Sequence, residues 1–351
     1  MLYPLFFSPI YKERVWGGTK LKDLYDRELP YEHTGESWDV ACHPEAVSVI
    51  CNGDFRGTTL LELFQTQPDE LLGKTFAKAQ KFPLLVKLLD AQEKLSVQVH
   101  PKDAYAKKYE NGELGKYEMW YIIDAPLGAT VVAGLKPDTT KEQFEMAVRQ
   151  GTVESYLMHI PVTRGDVIYV PAGLVHALEE NIVLAEIQQN SDTVYRVYDW
   201  NRLGLDGQPR DLHVQKALDV IDFATNEQPI VKGLSIYKKD AIYTYYIATP
   251  YFAVEKIQLT GEIEEDTKSL KFYLYTCVEG RGIIKHNEIE YNFCQGQSFM
   301  IPGSAGQYKI KGDATLLKSY IPHIDKDFIQ PLQAAGYTAE EIEKQVAILE
   351  M

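Results

Sequence analysis

With 351 residues, 45% of them apolar, the chain can bury a large core, and its length favours more than one domain. Its 36 Lys and Arg against 50 Asp and Glu give a formal charge of −14, which argues against a general nucleic-acid or anionic-membrane surface and means that an anionic ligand would need a local basic pocket. The four cysteines, Cys42, Cys51, Cys277 and Cys294, show no Cys-x-x-Cys spacing and read as reduced thiols.

The opening stretch MLYPLFFSPIYKERVWGG has an apolar patch without a basic leader, and Pro4 and Pro9 interrupt it, so a cytoplasmic protein is expected. From Leu2 to Ile50, short apolar pieces and turns such as Trp16-Gly17-Gly18 predict strands and loops. Between Thr58 and Gln80, leucines and Phe64 recur at helical spacings and Gln67-Pro68 breaks the run, which predicts two short helices. The segment PLLVKLLDA, residues 83 to 91, is a nearly continuous apolar run and predicts a buried strand. Lys87 inside it either reaches an edge or serves a pocket.

In LSVQVH, residues 95 to 100, Val97 and Val99 alternate with Gln98 and His100, so the two polar side chains share one strand face. Ser96 lies on that face by the same period. Glu118 follows within the same window, LSVQVHPKDAYAKKYENGELGKYE, whose loop Pro101 to Gly115 is expected to rim a pocket. Two donors on a strand, with a carboxylate and a second imidazole from elsewhere, are a common way to build a mononuclear divalent metal site, and the competing reading of the pair alone is a polar strand face wetted by solvent.

Met119 to Ile123 and Thr130 to Ala133 predict further strands, and Thr140 to Gln150 a helix, with a Thr140/Gln143 capping box and Gly151 at its end. In RGDVIYVPAGLVHAL, residues 164 to 178, a Gly165-Asp166 turn, a Val167 to Val170 strand and a Pro171-Ala172-Gly173 turn lead to His176. Strands are expected at Leu184 to Gln188 and Thr193 to Tyr198, a helix at Asp211 to Phe223, and alternating strands from Tyr243 on, including Leu270 to Glu279, Ile283 to His286 and Ser298 to Ile301. A terminal helix is expected behind a Thr338/Glu341 capping box, with Ile342, Val346 and Leu349 on one face. The Gly165–Pro171–His176 spacing recurs as Gly296–Pro302–Gln307, an echo that implies two related β-barrels of which only the first keeps the histidine.

The pattern Gly-x5-Pro-x-Gly-x2-His belongs to the second cupin motif. Together with PLLVKLLDAQEKLSVQVHP, GKYEMWY, VPAGLVHAL and EIQQNSDTVYRVYDWNR, it makes the chain resemble type I phosphomannose isomerases in their short bacterial form, from about residue 1 to 325. The resemblance implies a mainly β protein of two cupin jelly-roll barrels with a small helical portion. It implies a catalytic cupin over 1–240, with helical insertions near 58–80, 101–115 and 140–151 and a helix at 211–223, a metal-free second cupin over 241–325, and a helical tail over 326–351.

By the same resemblance Gln98, His100, Glu118 and His176 hold one divalent ion. Zinc suits the mixed N and O set, as manganese, iron or cobalt also would. Arg196 matches a catalytic arginine, Glu186 an active-site acid for proton transfer, and Lys116 a pocket lysine. Ser96, Lys87 and Arg202 are the expected substrate contacts, with Arg202 standing where longer members carry Lys. The implied reaction interconverts mannose 6-phosphate and fructose 6-phosphate through an enediol. The rival readings are another cupin-type sugar-phosphate isomerase, for instance of glucose 6-phosphate, and a non-catalytic sugar-binding cupin. A small sugar phosphate is the expected partner, with no nucleic acid or membrane, and the chain is read as a monomer.

Overall fold

Strand Leu84–Ala91 is buried at every position, Lys87 and Asp90 included, as its apolar run requires of a strand covered on both faces. The computed structural model describes residues 2–224 and 229–349 and is mainly β. One unit comprises Tyr11–Ser37 and Lys87–Ile230, and a second comprises most of the remaining chain, including Trp38–Val86. Residues 38–86, which the sequence analysis counts with the N-terminal domain, group with the C-terminal strands because Leu5–Ser8 pairs with both Ser298–Ile301 and Val49–Ile50.

In the first unit, one antiparallel sheet runs in the order Leu157–Pro161, Thr130–Leu135, His176–Leu178, Val97–Val99, Tyr195–Tyr198. A second sheet sets Val167–Val170, Glu118–Asp124 and Ile182–Gln189 side by side. Side chains of both sheets, including Trp120, Val131, Ala133, Ile168 and Leu184, form one buried cluster, so the two sheets close over a shared core. Helix Lys141–Gln150 has the expected capping box, in which Thr140 accepts from Gln143 N, and Gly151 ends it at φ 70°. Phe144 and Ala147 bury its inner face.

In the second unit, a sheet passes through Leu234–Lys238, Ala241–Ala248, Ala253–Leu259, Gln307–Tyr320, Tyr273–His286 and Ser298–Ile301. The two short helices expected there are Leu60–Thr66 and Pro68–Leu72, broken at Gln67 as the proline dictates. The sequence echo is also an echo of structure. Gly165 (φ 91°) and Gly296 (φ 80°) open the two copies, strands Val167–Val170 and Ser298–Ile301 follow, and His176 and Gln307 each begin the next strand.

Some boundaries differ from expectation. The segments 270–279 and 283–286 merge into one strand, Tyr273–His286, because a register shift between Cys277 and Glu279 and Gly280 at φ 81° bend the chain without ending its pairing. The helix expected over 211–223 is confined to Val214–Val220, whereas the helical insertion expected near 101–115 is present as Asp103–Tyr109. The terminal helix stops at Gln345. Val346 is extended, and Ala347–Ile348 pairs in parallel with Ala241–Ala248, so Leu349 is not on a helical face.

Candidate active site

Gln98 sits at the centre of the short strand Val97–Val99, and antiparallel register places His176 opposite it on one side and Arg196 on the other. Three chemically distinct side chains therefore meet at one level of the sheet. Their polar ends form a chain: Arg196 Nε donates to Ser96 Oγ (3.3 Å), Ser96 Oγ donates to Gln98 Oε1 (3.4 Å), and Gln98 Nε2 lies 3.4 Å from His176 Nε2. In this rotamer Gln98 turns its amide nitrogen to the imidazole; as a metal ligand it would present its oxygen.

His100, Glu118 and His176 are buried, and one ligand atom from each lies within 4.8 Å of the others. Each imidazole uses Nδ1 on a backbone carbonyl, His100 on Thr193 O and His176 on Leu174 O, both at 2.8 Å. A carbonyl can only accept, so this assigns the proton to Nδ1 and leaves both Nε2 lone pairs for the cluster. His100 Nε2 is 3.2 Å from Glu118 Oε1 and His176 Nε2 is 3.8 Å from Oε2. Among the described residues, no directed hydrogen bond reaches His100 Nε2 or either Glu118 oxygen, although the Lys116 ammonium lies 2.7 Å from Oε1 as a charge.

Burial pushes the His176 pKa down to about 3 and lowers that of His100, so both rings are neutral at ordinary pH. Burial alone would raise Glu118, but the Lys116 ammonium and the two imidazoles outweigh it and hold the carboxyl well below its usual range. Two neutral imidazoles and an ionised carboxylate, with the buried lone pairs of His100 and Glu118 facing one another unsatisfied, form a donor set that fits a divalent cation.

A cleft of about 480 Å³ adjoins the cluster and is lined by Gln98, Lys116, Ser96, Glu186 and Arg196 among others. Lys87 is buried in its wall among three carboxylates, at 3.4 Å from Glu186, 3.4 Å from Asp192 and 3.8 Å from Glu36. Desolvation opposes its charge, but these carboxylates win and raise its pKa, so Lys87 is a fixed cation. Glu186 is pushed up by burial and by the Glu118 charge, with Lys87 and Lys116 acting against them. Its position is set by strand pairing with Trp120, whose Nε1 donates to Glu186 Oε2 (3.1 Å).

Nine of the ten expected site residues thus gather at the cluster and its cleft. Arg202 is not in the lining; its guanidinium lies on Asp199, and Arg210 lines the cleft in its stead. Glu36, Asp192 and Arg210 were not singled out as site residues in the sequence. The signal for Glu36 was available in TGESWDV, a strand buried at all seven positions, where a glutamate requires a charged partner.

The model of the type I phosphomannose isomerase catalytic domain matches residues 5–120, and that of the mannose-6-phosphate isomerase cupin domain matches residues 241–321. Two Bacillus subtilis (strain 168) proteins, the probable mannose-6-phosphate isomerase GmuF and the mannose-6-phosphate isomerase ManA, are 40% and 41% identical to the chain over 323 residues, covering 91% of it and 100% and 99% of their own lengths. The chain belongs to the type I phosphomannose isomerase family. Enzymes of this family interconvert mannose 6-phosphate and fructose 6-phosphate. The crystal structure of the mannose 6-phosphate isomerase from Bacillus subtilis superposes with a TM-score of 0.84 at 36% identity, covering 91% of this chain and 99% of that one. A structure of a putative mannosephosphate isomerase from Archaeoglobus fulgidus, at 23% identity and a TM-score of 0.73, shares the fold. In this phosphomannose isomerase chain, His100, Glu118 and His176 form a possible metal site.

Proposed function

We propose that the chain converts mannose 6-phosphate to fructose 6-phosphate and back at this cleft, with Gln98, His100, Glu118 and His176 holding one zinc ion. The observation that carries this reading is the set of buried, mutually facing lone pairs on His100 and Glu118 beside a cleft with a basic end. A divalent ion bound there supplies Lewis-acid polarisation of the substrate oxygens. Glu186 takes the proton from C2 and returns it to C1, and its raised pKa suits a group that must act as base and then as acid. Arg196, fixed by Ser96 and by Asp211 O (2.7 Å), stabilises the negative charge that builds on the enediol oxygens. Lys116 adds a second cation beside them and orients Glu118. Ser96 contacts the sugar. Lys87 acts as the fixed cation of the cleft wall, and the cluster containing Arg202 receives the phosphate.

The second unit, where Gln307 stands in place of the histidine, is assigned a structural role without metal. Among the described residues, cluster and cleft are lined by one chain, and the protein is read as a monomer. Among the described residues no helix is long and apolar enough to cross a membrane, and the chain is read as a cytoplasmic enzyme. A coupled assay of fructose 6-phosphate formation tests the reading. Mannose 6-phosphate should be turned over, a chelator should abolish turnover, and added zinc should restore it. Turnover that survives exhaustive chelation, or a preference for glucose 6-phosphate, would oppose it.

A further inference from the structure

The basic end of the cleft is organised by one carboxylate. Asp199 is 6% exposed and receives two guanidiniums side-on. Arg202 donates through Nε (3.2 Å) and Nη2 (3.0 Å) to Oδ1, and Arg210 through Nε (2.7 Å) to Oδ2 and Nη2 (2.6 Å) to Oδ1. Arg196 lies in the same electrostatic field. Three arginines thus converge on one carboxylate, in a chain whose formal charge is −14, although Asp211 and Glu93 act on Arg196 and Arg202 from outside. Asp206 also lines the cleft, but it is exposed and its Oδ1 accepts from Gln208 N (3.0 Å), which fixes the turn.

The two arginines on Asp199 differ at their outer edges. A guanidinium held by Nε and Nη2 still has Nη1 and the second Nη2 hydrogen to offer, a planar pair that matches two phosphate oxygens. Arg202 Nη1 lies 3.8 Å from Glu93 Oε2, and Arg202 is outside the cleft lining. Arg210 lines the cleft, and its Nη1 has no hydrogen-bond partner among the described residues. Holding that side chain in place beforehand reduces the rotamer entropy lost when an anion binds.

We propose that Asp199 is a positioning residue that fixes Arg210 by its inner edge, so that the outer edge of Arg210 grips the phosphate of the sugar substrate while Arg202 acts only through Asp199. This rests on the isomerase reading given above. It explains how an acidic protein selects an anionic substrate, and it moves the phosphate contact from the arginine that the sequence pointed to onto one eight residues later.

The test uses the metal-loaded protein and four variants, Arg210→Met, Arg210→Lys, Asp199→Asn and Arg202→Met, with Arg149→Met on the exposed helix face as the control. KM and kcat for mannose 6-phosphate are measured together with the dissociation constant of inorganic phosphate by calorimetry. Arg210→Met should raise KM and the phosphate dissociation constant about 10- to 100-fold, the loss expected for a charged hydrogen-bonded pair. The effect on kcat should be much smaller. Arg210→Lys, which keeps the charge but loses the fork, should fall between. Asp199→Asn should raise KM in the same direction without lowering metal content, and Arg202→Met should raise it less than Arg210→Met does. An unchanged KM and phosphate affinity in both Arg210 variants, or a larger effect from Arg202→Met, would overturn the proposal. The calorimetric arm requires no turnover, so failure of the isomerase reading would appear in the kinetic arm alone.

Discussion

Glu186 shows how a single residue's chemistry is set by its neighbours. Burial and the Glu118 charge raise its pKa, and the Lys87 ammonium, 3.4 Å away, opposes them. Only the ionised form can accept a proton, so a raised pKa places an acid limb on kcat/KM, with activity lost as pH falls through it. Lys87→Met removes a positive charge that favours the ionised form, so the limb should move to higher pH. A pH profile that is superimposable on the unmodified protein's would separate Lys87 from Glu186. Part of this was legible in sequence: the run PLLVKLLDA marks Lys87 as a charge in a buried strand. Its partners were not, because Glu36, Glu186 and Asp192 come from distant segments that only the sheet pairing brings together. Asp192, four residues before Arg196 in sequence, pairs instead with Lys87.

At the scale of the element, the short strands carrying the site were readable because period-2 alternation names a face directly. Gln98 and His100 follow from LSVQVH, and His176 follows from the Pro171 turn. What a period cannot supply is register. The pairing of Gln98 with both His176 and Arg196 depends on the order of strands in the sheet. Boundaries failed where tertiary pairing extended or cut an element, as in Tyr273–His286 and at Gln345.

The second unit contains a counterpart that alternation alone did not reveal. Within the sheet formed by strands Gln307–Tyr320 and Ala253–Leu259, the buried Lys318 ammonium lies 2.7 Å from Glu265, and Tyr320 donates to the buried Glu255. Desolvation disfavours the Lys318 charge, but Glu265 and Glu255 more than compensate and raise its pKa well above the usual value. Lys318→Met should cost about 3–5 kcal/mol of unfolding free energy near neutral pH, because it strands buried carboxylates without their cation. Those carboxylates gain protons in the folded variant at higher pH than in the unfolded chain, so the deficit should shrink as pH falls. Urea titrations at pH 5 and pH 8 check this, and an equal deficit at both would contradict it.

For the whole molecule, composition settled little beyond a soluble-type core and an acidic balance, and it gave no hint that a basic end would be assembled from Arg196, Arg202 and Arg210 around Asp199. The mainly β fold and its doubled strand-turn-strand unit were legible, because the Gly165 and Gly296 copies keep the same spacing in sequence and the same turn-strand order in space. The grouping of residues 38–86 with the C-terminal strands was not, since Val49–Ile50 gives no local sign that it will pair with Leu5–Ser8. The central claim is that the cluster around His176 binds the ion on which isomerisation depends. Its most direct test is to measure bound metal and mannose 6-phosphate isomerisation side by side in His176→Ala: the account predicts that both are lost while the fold persists, and full activity with normal metal content would contradict it.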